Sequence, residues 1–363
     1  MTSSTAMNDK RLFTKPIVGL CCLRSLHYFI EYQTLLALSA LWSRNLSRSK
    51  RYTVESLRRL QREVVALFET DVQNILNSDL PPRLLWTESP LLHLKRVPKI
   101  VRDGLHLSTR RKKHETHEFN DEAEQHLNEV PEYYRRNFHF QTDGYLSEHS
   151  AEIYDHQVEL LFAGAADAMR RIILPDLNAA IDKQTKLKFL ELGCGTGSMT
   201  KNIRLAFSNA HIVATDLSEP YLEVARRRLK NLPRFTAIEF QRADAAHLPY
   251  EDSTFDMVYS VFLFHELPRD VRMQALREAH RVLKPGGIFA YVDSLQLGDK
   301  PDFDDVLKNF PRDFHEPFYR DYIETPVQSL AASAGFRHFS TRHGFLAKGE
   351  VFRKNFNSQD SNG

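Results

Sequence analysis

Glu191-Leu192-Gly193-Cys194-Gly195-Thr196-Gly197-Ser198 sets an acid and then three glycines at alternating positions behind the apolar pair Phe189-Leu190. Residues without a Cβ let the chain turn sharply and bring amide N–H groups against a ligand that side chains would push away. A helix expected from Ser198 to Phe207 would aim its positive end and its unpaired N–H donors at an anionic group. Taken alone, the string also suits a surface turn. The next segment argues otherwise. His211-Ile212-Val213-Ala214-Thr215-Asp216 reads as a second buried strand ending in an acid. It lies about twenty residues past the central glycine, the spacing of a ribose-binding carboxylate in a βαβ unit.

Three nucleotide chemistries compete for such a loop. A triphosphate-binding loop needs Lys-Ser or Lys-Thr after its last glycine, and neither follows Gly197. A dinucleotide loop carries its third glycine where Ser198 stands. Glu191 would repel a pyrophosphate but attract a ligand bearing an ammonium and a sulfonium, because opposite charge nearby favours the ion. An adenosine ligand of that description is S-adenosylmethionine.

Two later segments, Arg242-Ala243-Asp244-Ala245 and Arg281-Val282-Leu283-Lys284-Pro285-Gly286-Gly287, complete a set of four in order. Over residues 186 to 352 the chain resembles the class I S-adenosylmethionine-dependent methyltransferases, in the branch that acts on small molecules. The resemblance implies an α/β fold, a Rossmann-like doubly wound seven-stranded sheet that is mostly parallel, with a helical N-terminal accessory region ahead of it. It implies S-adenosyl-L-methionine as cofactor. Glu191, Gly193, Gly195 and Gly197 would meet its methionine and ribose, Asp216 the ribose hydroxyls, and Leu217 the adenine. Asp244 would take the adenine amino group and the Ala245 amide a ring nitrogen. Structural roles compete for the two acids: Asp216 as cap of a helix starting near Ser218, and Asp244 as a turn residue. Cys194 reads as a small packed residue, since no base stands beside it.

In the resembled family the element before the first strand closes over the cofactor. Tyr145 and Tyr154 are therefore candidate contacts, within a stretch that also holds Tyr133, Tyr134, Phe138 and Phe140. The same rings would serve equally to pack the segment down. Methyl transfer asks the protein mainly to align an acceptor and, where needed, to remove its proton. His265, with Glu266 as partner, follows the expected strand 254–261 and is the candidate catalytic pair, as general base or orienting group. A second Phe-His-Glu, Phe314-His315-Glu316, lies in an aromatic-rich insertion at 294–322 that could roof a hydrophobic acceptor. Two His-Glu pairs could also meet around a metal, although coincidence explains the repeat and no metal is expected.

The chain lacks the Asn-Pro-Pro-Tyr or Asp-Pro-Pro-Tyr tetrad and the Pro-Cys nucleophile of nucleic-acid methylating enzymes. A small-molecule acceptor is expected, and no nucleic acid. Two alternatives keep the fold and change the function: a noncatalytic partner protein, and a dinucleotide-dependent oxidoreductase.

The 363 residues carry a net charge of +2 and three cysteines, Cys21, Cys22 and Cys194, which form no disulfide framework and point to a reducing, cytoplasmic setting. Four segments are expected: a basic N-terminal extension at 1–52, a helical accessory region and linker at 53–150, the methyltransferase domain at 151–353, and a disordered tail at 354–363. In the first, the apolar run 35–42 is too short to span a bilayer, leaving a basic surface that could rest on a membrane. In the second, Leu60, Val64, Leu67, Phe68, Val72 and Ile75 recur at helical spacing. Pro81-Pro82 ends that helix, and 109–128 reads as a polar linker. Its His114-Glu115-Thr116-His117 lacks the four-residue spacing of a helical zinc site.

Overall fold

The computed structural model describes residues 3–42, 54–78, 80–85, 90–113, 115–182 and 186–355. Seven strands form one sheet: β1 Lys188–Leu192, β2 His211–Asp216, β3 Ile238–Arg242, β4 Phe255–Val261, β5 Leu283–Ser294, β6 Phe336–Gly344 and β7 Ala347–Lys354. Their order is β3-β2-β1-β4-β5-β7-β6. The first five pair in parallel, and β7 runs antiparallel between β5 and β6. β1, β2 and β4 are almost wholly buried, which is why their sequences are mostly apolar on both faces. Edge strand β6 is mostly open to solvent and reads accordingly as a polar, basic string.

Strand order reverses between β1 and β4, and at such a reversal the carboxyl ends of the strands open a crevice for ligands. β1 leads through the glycine loop into the helix Ser198–Ala206, and β2 into the helix Glu219–Leu229. Ser218 caps the second, its Oγ accepting the Tyr221 N–H at 3.3 Å. Asp216 is thus left outside the cap.

Ahead of the sheet come seven helices among the described residues: α1 Ser3–Trp42, α2 Val54–Asn77, α3 Pro90–Lys113, α4 Asp121–Leu127, α5 Glu148–Leu161, α6 Ala166–Arg170 and α7 Leu174–Ala180. Val64, Leu67, Phe68, Val72 and Ile75 of α2 join Phe189, Ile212, Tyr259 and Val351 of the sheet in one buried cluster. α2 is therefore part of the catalytic core. Asp71 of α2 clamps the buried Arg171 in two hydrogen bonds, from Nε at 3.0 Å and Nη2 at 2.6 Å.

Two expectations are corrected here. The linker expected over 109–128 is largely helical, because α3 runs on to Lys113 and Asn120 caps α4 by accepting the Ala123 N–H. Asp121, Glu122 and Glu124 then complement the positive end of α4. The N-terminal extension is also a helix over Ser3–Trp42, and Val18 and Cys21 of α1 join the core cluster of α2. Lys354, the first residue of the expected tail, ends β7; residues 356–363, like His114, lie outside the described residues. No helix among the described residues is long and apolar enough to cross a membrane. Even so, α1 exposes Leu20, Leu23, Leu26, Phe29 and Ile30, and α3 exposes Leu92 and Leu94.

Removing one partner of a buried ion pair strands the other charge. Asp71→Ala should therefore lower the unfolding free energy by about 3–5 kcal/mol in chemical denaturation. A loss below about 1 kcal/mol would mean that the clamp does not hold α2 to the core.

Candidate functional site

Leaving β1, the backbone turns through Gly193, Gly195 and Gly197, all at positive φ (65°, 54° and 82°). Two of these glycines serve different ends. A Cβ on Gly195 would meet nothing within 4 Å, so the backbone is bare toward the cleft. A Cβ on Gly197 would stand 2.8 Å from Leu229 Cδ1, so its smallness lets the helix Glu219–Leu229 pack on the loop. Cross-bonds pin the turn: the Cys194 N–H donates to the Thr215 carbonyl and the Gly195 N–H to Asp216 Oδ2, each at 2.8 Å. Asp155 of α5 holds the loop from the other side. It accepts from Thr196 Oγ1 and Ser198 Oγ at 2.5 Å and also from Arg228. Burial opposes charge on Asp155, but Arg228 and Arg170 outweigh it and hold the carboxyl below its usual range.

The loop forms one wall of a cleft lined by polar and aromatic side chains. Glu191, Asp216, Leu217 and Ala245 line it, as do Tyr133, Tyr134, Tyr145 and Tyr154 and the carboxylate residue Glu266. Glu191 is buried and accepts from Thr200 Oγ1 at 2.5 Å and from the Tyr259 hydroxyl at 2.9 Å. Its burial still pushes the carboxyl up to about 8. Burial likewise pushes Asp216 up to about 6, against the N–H groups of Ser218 and Gly195 that favour its charged form. Both acids gain from a cation or hydroxyl donor entering the cleft. With the bare face at Gly195, they fit a ligand carrying ammonium and ribose groups. Cys194 is a buried thiol raised well above its ordinary value by burial, as its packing reading requires.

Asp244 is placed differently from the expectation. It does not line the cleft; its Oδ1 accepts the Ala246 N–H at 2.9 Å and its Oδ2 faces His247 Nδ1 at 3.1 Å. The residue performs the turn role, and Ala243 and Ala245 present backbone beside it.

Beyond Glu266 lies a buried cluster drawn from four elements. The Tyr145 hydroxyl donates to Glu266 Oε1. His139 sits between two acids, Nδ1 2.8 Å from Glu316 Oε1 and Nε2 3.5 Å from Glu266 Oε1. His265 Nδ1 lies 2.6 Å from Asp293 Oδ1 at the end of β5, whereas its Nε2 is 3.9 Å from Glu266. Asp293, rather than the expected Glu266, is the close partner of His265. Burial works against imidazolium here, yet Glu316 raises His139 to about 10 and Asp293 raises His265 to about 9. The carboxylates thus favour the imidazolium form of both rings, and the short contact to Asp293 suits His265 to the orienting role of the two expected for it. His139 adopts φ 54°, ψ 16°, a left-handed conformation that costs a non-glycine residue of order 1 kcal/mol or more.

The second tripeptide splits. Glu316 joins the cluster, and the His315 ring lies against Phe140. The aromatics of the insertion do not line the cleft: Phe303, Tyr319 and Tyr322 are buried against Phe289 and Tyr291 of β5. The roof comes instead from Tyr133, Tyr134, Phe138 and Tyr145. Asp155, Arg170, His139 and Asp293 are site residues that sequence reasoning missed. Only Asp293 had a signal, an acid closing a buried strand as Asp216 does.

A family model described as a methyltransferase domain matches residues 189–287. The chain is 46% identical over 102 residues to a demethylmenaquinone methyltransferase of Clavibacter sepedonicus, covering 28% of this chain and 38% of that one. It is 35% identical over 125 residues to a fatty-acid O-methyltransferase of Mycolicibacterium smegmatis, covering 34% and 43%. A solved SAM dependent methyltransferase from Aquifex aeolicus is 20% identical, with a TM-score of 0.40 over 51% of this chain and 92% of that one. The chain thus spans less than half the length of the first two relatives. Strand order, glycine loop and matched motifs agree, and the sheet-bearing part of the chain is a class I S-adenosylmethionine-dependent methyltransferase domain.

Proposed function

We propose that the chain transfers a methyl group from S-adenosylmethionine to a small, partly hydrophobic metabolite in the cytoplasm. The observation that carries this reading is the aromatic-lined cleft walled by the glycine loop, with the cluster of His139, Glu266 and Glu316 abutting it. Bound S-adenosylmethionine supplies a methyl carbon made electrophilic by its sulfonium. Glu191 and Gly195 would hold its ammonium end and Asp216 its ribose hydroxyls. Glu266, positioned by the Tyr145 hydroxyl, faces the cleft and is the group that orients the acceptor and takes its proton. His139 and His265 stand among the surrounding carboxylates. Tyr133, Tyr134 and Phe138 offer ring faces to an apolar acceptor. The printed names of the two relatives, one acting on a demethylated menaquinone and one on fatty acids, support an acceptor of that character.

A related proposal concerns supply of such an acceptor. α3 exposes Lys95, Lys99 and Arg102 along with its leucines, Lys99 being paired with Glu152. Apolar side chains with cations on the same helix match an anionic bilayer surface. Vesicles containing phosphatidylserine should carry the full chain upward in flotation, and phosphatidylcholine vesicles less. Leu23→Glu with Leu94→Glu should abolish the difference; equal flotation of both proteins would remove the membrane reading.

Proton linkage tests the cofactor assignment. Groups near pH 8 and pH 6 that must both be ionised in the complex make affinity depend on pH with a defined sign. Calorimetric affinity for S-adenosylmethionine should be level above pH 8, fall about tenfold per unit between pH 8 and 6, and fall more steeply below. In Glu191→Gln the middle slope should vanish. Flat wild-type affinity between pH 6 and 8 would refute the role given to Glu191, and absent binding would refute the proposal.

Metabolite profiling with and without the protein should reveal a product heavier by one methylene. With that acceptor in hand, Glu266→Gln should lower kcat by about 10²–10⁴-fold while cofactor affinity stays near wild type. Undiminished kcat would take Glu266 out of the proton transfer.

A further inference from the structure

Away from the cleft, three helices converge on a second set of ligating groups. His27 and Glu31 stand one turn apart on α1, His93 comes from α3 and His156 from α5. All three imidazoles present Nε2 to the same carboxylate. His156 Nε2 lies 3.0 Å from Glu31 Oε1, and His93 Nε2 and His27 Nε2 lie 2.9 and 3.7 Å from Oε2. The Nε2 atoms of His27 and His93 are themselves 3.1 Å apart.

Hydrogen bonding accounts for only part of this arrangement. Glu31 Oε2 is buried, yet no N–H points at it with the geometry of a hydrogen bond, although His93 stands close by. A buried carboxylate oxygen without a donor is costly, and the two imidazole nitrogens beside it, of His27 and His93, suggest what would satisfy it. Two nitrogens bound at about 2.0–2.1 Å to one tetrahedral zinc ion stand about 3.3 Å apart, close to the spacing found between His27 and His93. Imidazole with one carboxylate suits zinc and its neighbours among the divalent transition metals.

We propose that His27, Glu31 and His93 form a binding site for a divalent transition-metal ion of the zinc type, with His156 holding the other oxygen of Glu31. The ion ties α1 to α3 and, through the Glu31–His156 bond, to α5, the helix whose Asp155 holds the glycine loop. His156 and His93 stack with ring centroids 4.1 Å apart, and the Tyr28 ring sits edge-on to both. His27, more than half exposed at 60%, is the open side through which an ion enters.

The site lies on different elements from the His139, Glu266 and Glu316 cluster, the other group among the described residues with metal-ligand spacing. A test must therefore separate the two. The full chain, stripped with a chelator, is titrated with Co²⁺ alone and then with Zn²⁺ alone. One equivalent of Co²⁺ should give the intense visible absorption of a tetrahedral ion, and Zn²⁺ should displace it and raise the melting temperature. His93→Ala and Glu31→Gln should weaken binding about a hundredfold or more and abolish the thermal shift, since even outer partners of a metal ligand are worth 10–100-fold. Glu316→Gln should bind as wild type does. Absence of a stoichiometric cobalt spectrum in the wild-type chain would overturn the proposal whatever the variants do. Binding retained in His93→Ala but lost in Glu316→Gln would overturn it too, by moving the metal to the cleft.

Discussion

A carboxylate removed from water must find positive charge or donors, or else take up a proton, and this constraint organises the whole cleft. Each acid around it meets the demand in its own way. Asp155 has Arg228, Arg170 and two hydroxyls, and stays charged. Glu191 has only two hydroxyls and holds a proton near neutrality. Asp293 is bonded by the His265 ring, and Glu316 has only the His139 ring close by. The permanently paired acids build the scaffold, and the poorly paired ones face the ligand. Binding energy is thereby stored in groups whose charged form is completed only when a cation or hydroxyl arrives.

The parts of this fold that could be read in the sequence are those whose signals are local. β1, β2 and β4 declare themselves as mostly apolar segments because both faces of a central parallel sheet are covered. The glycine loop is legible because backbone at positive φ restricts residue type at single positions. Ser218 and Asp216 stand two residues apart, and their division of labour was open until the cap geometry separated them. Asp244 illustrates the opposite case: a motif match gave it a ligand, and its own short loop claimed both oxygens.

What escaped the sequence was set by distance along the chain. His139 meets Glu316 across 177 residues (316 − 139) and Asp155 meets Arg228 across 73, and neither pair leaves a mark in its neighbours. The insertion at 294–322 misled for a related reason. Aromatic rings are as suited to a core as to a pocket, and here the exposed face of β5 needed covering, so Phe303, Tyr319 and Tyr322 went inward. The roof then fell to the segment before α5. His139 holds its left-handed backbone there because Glu316 and Glu266 grip its ring from both sides.

α5 explains why the N-terminal helices are fused to the core. Three consecutive residues of this helix point into three environments: Tyr154 lines the cleft, Asp155 fastens the glycine loop, and His156 bonds Glu31 of α1. At 100° per residue a helix separates neighbouring side chains enough to do this, so one rigid element serves cofactor, loop and accessory helices at once. Any shift of α1 or α3 that pulls on His156 is felt at Asp155 one residue earlier, and from there at Thr196 and Ser198. The accessory region therefore bears on the geometry of the loop without touching the ligand, and the arrangement of α1 against α5 becomes a condition for a well-formed cleft.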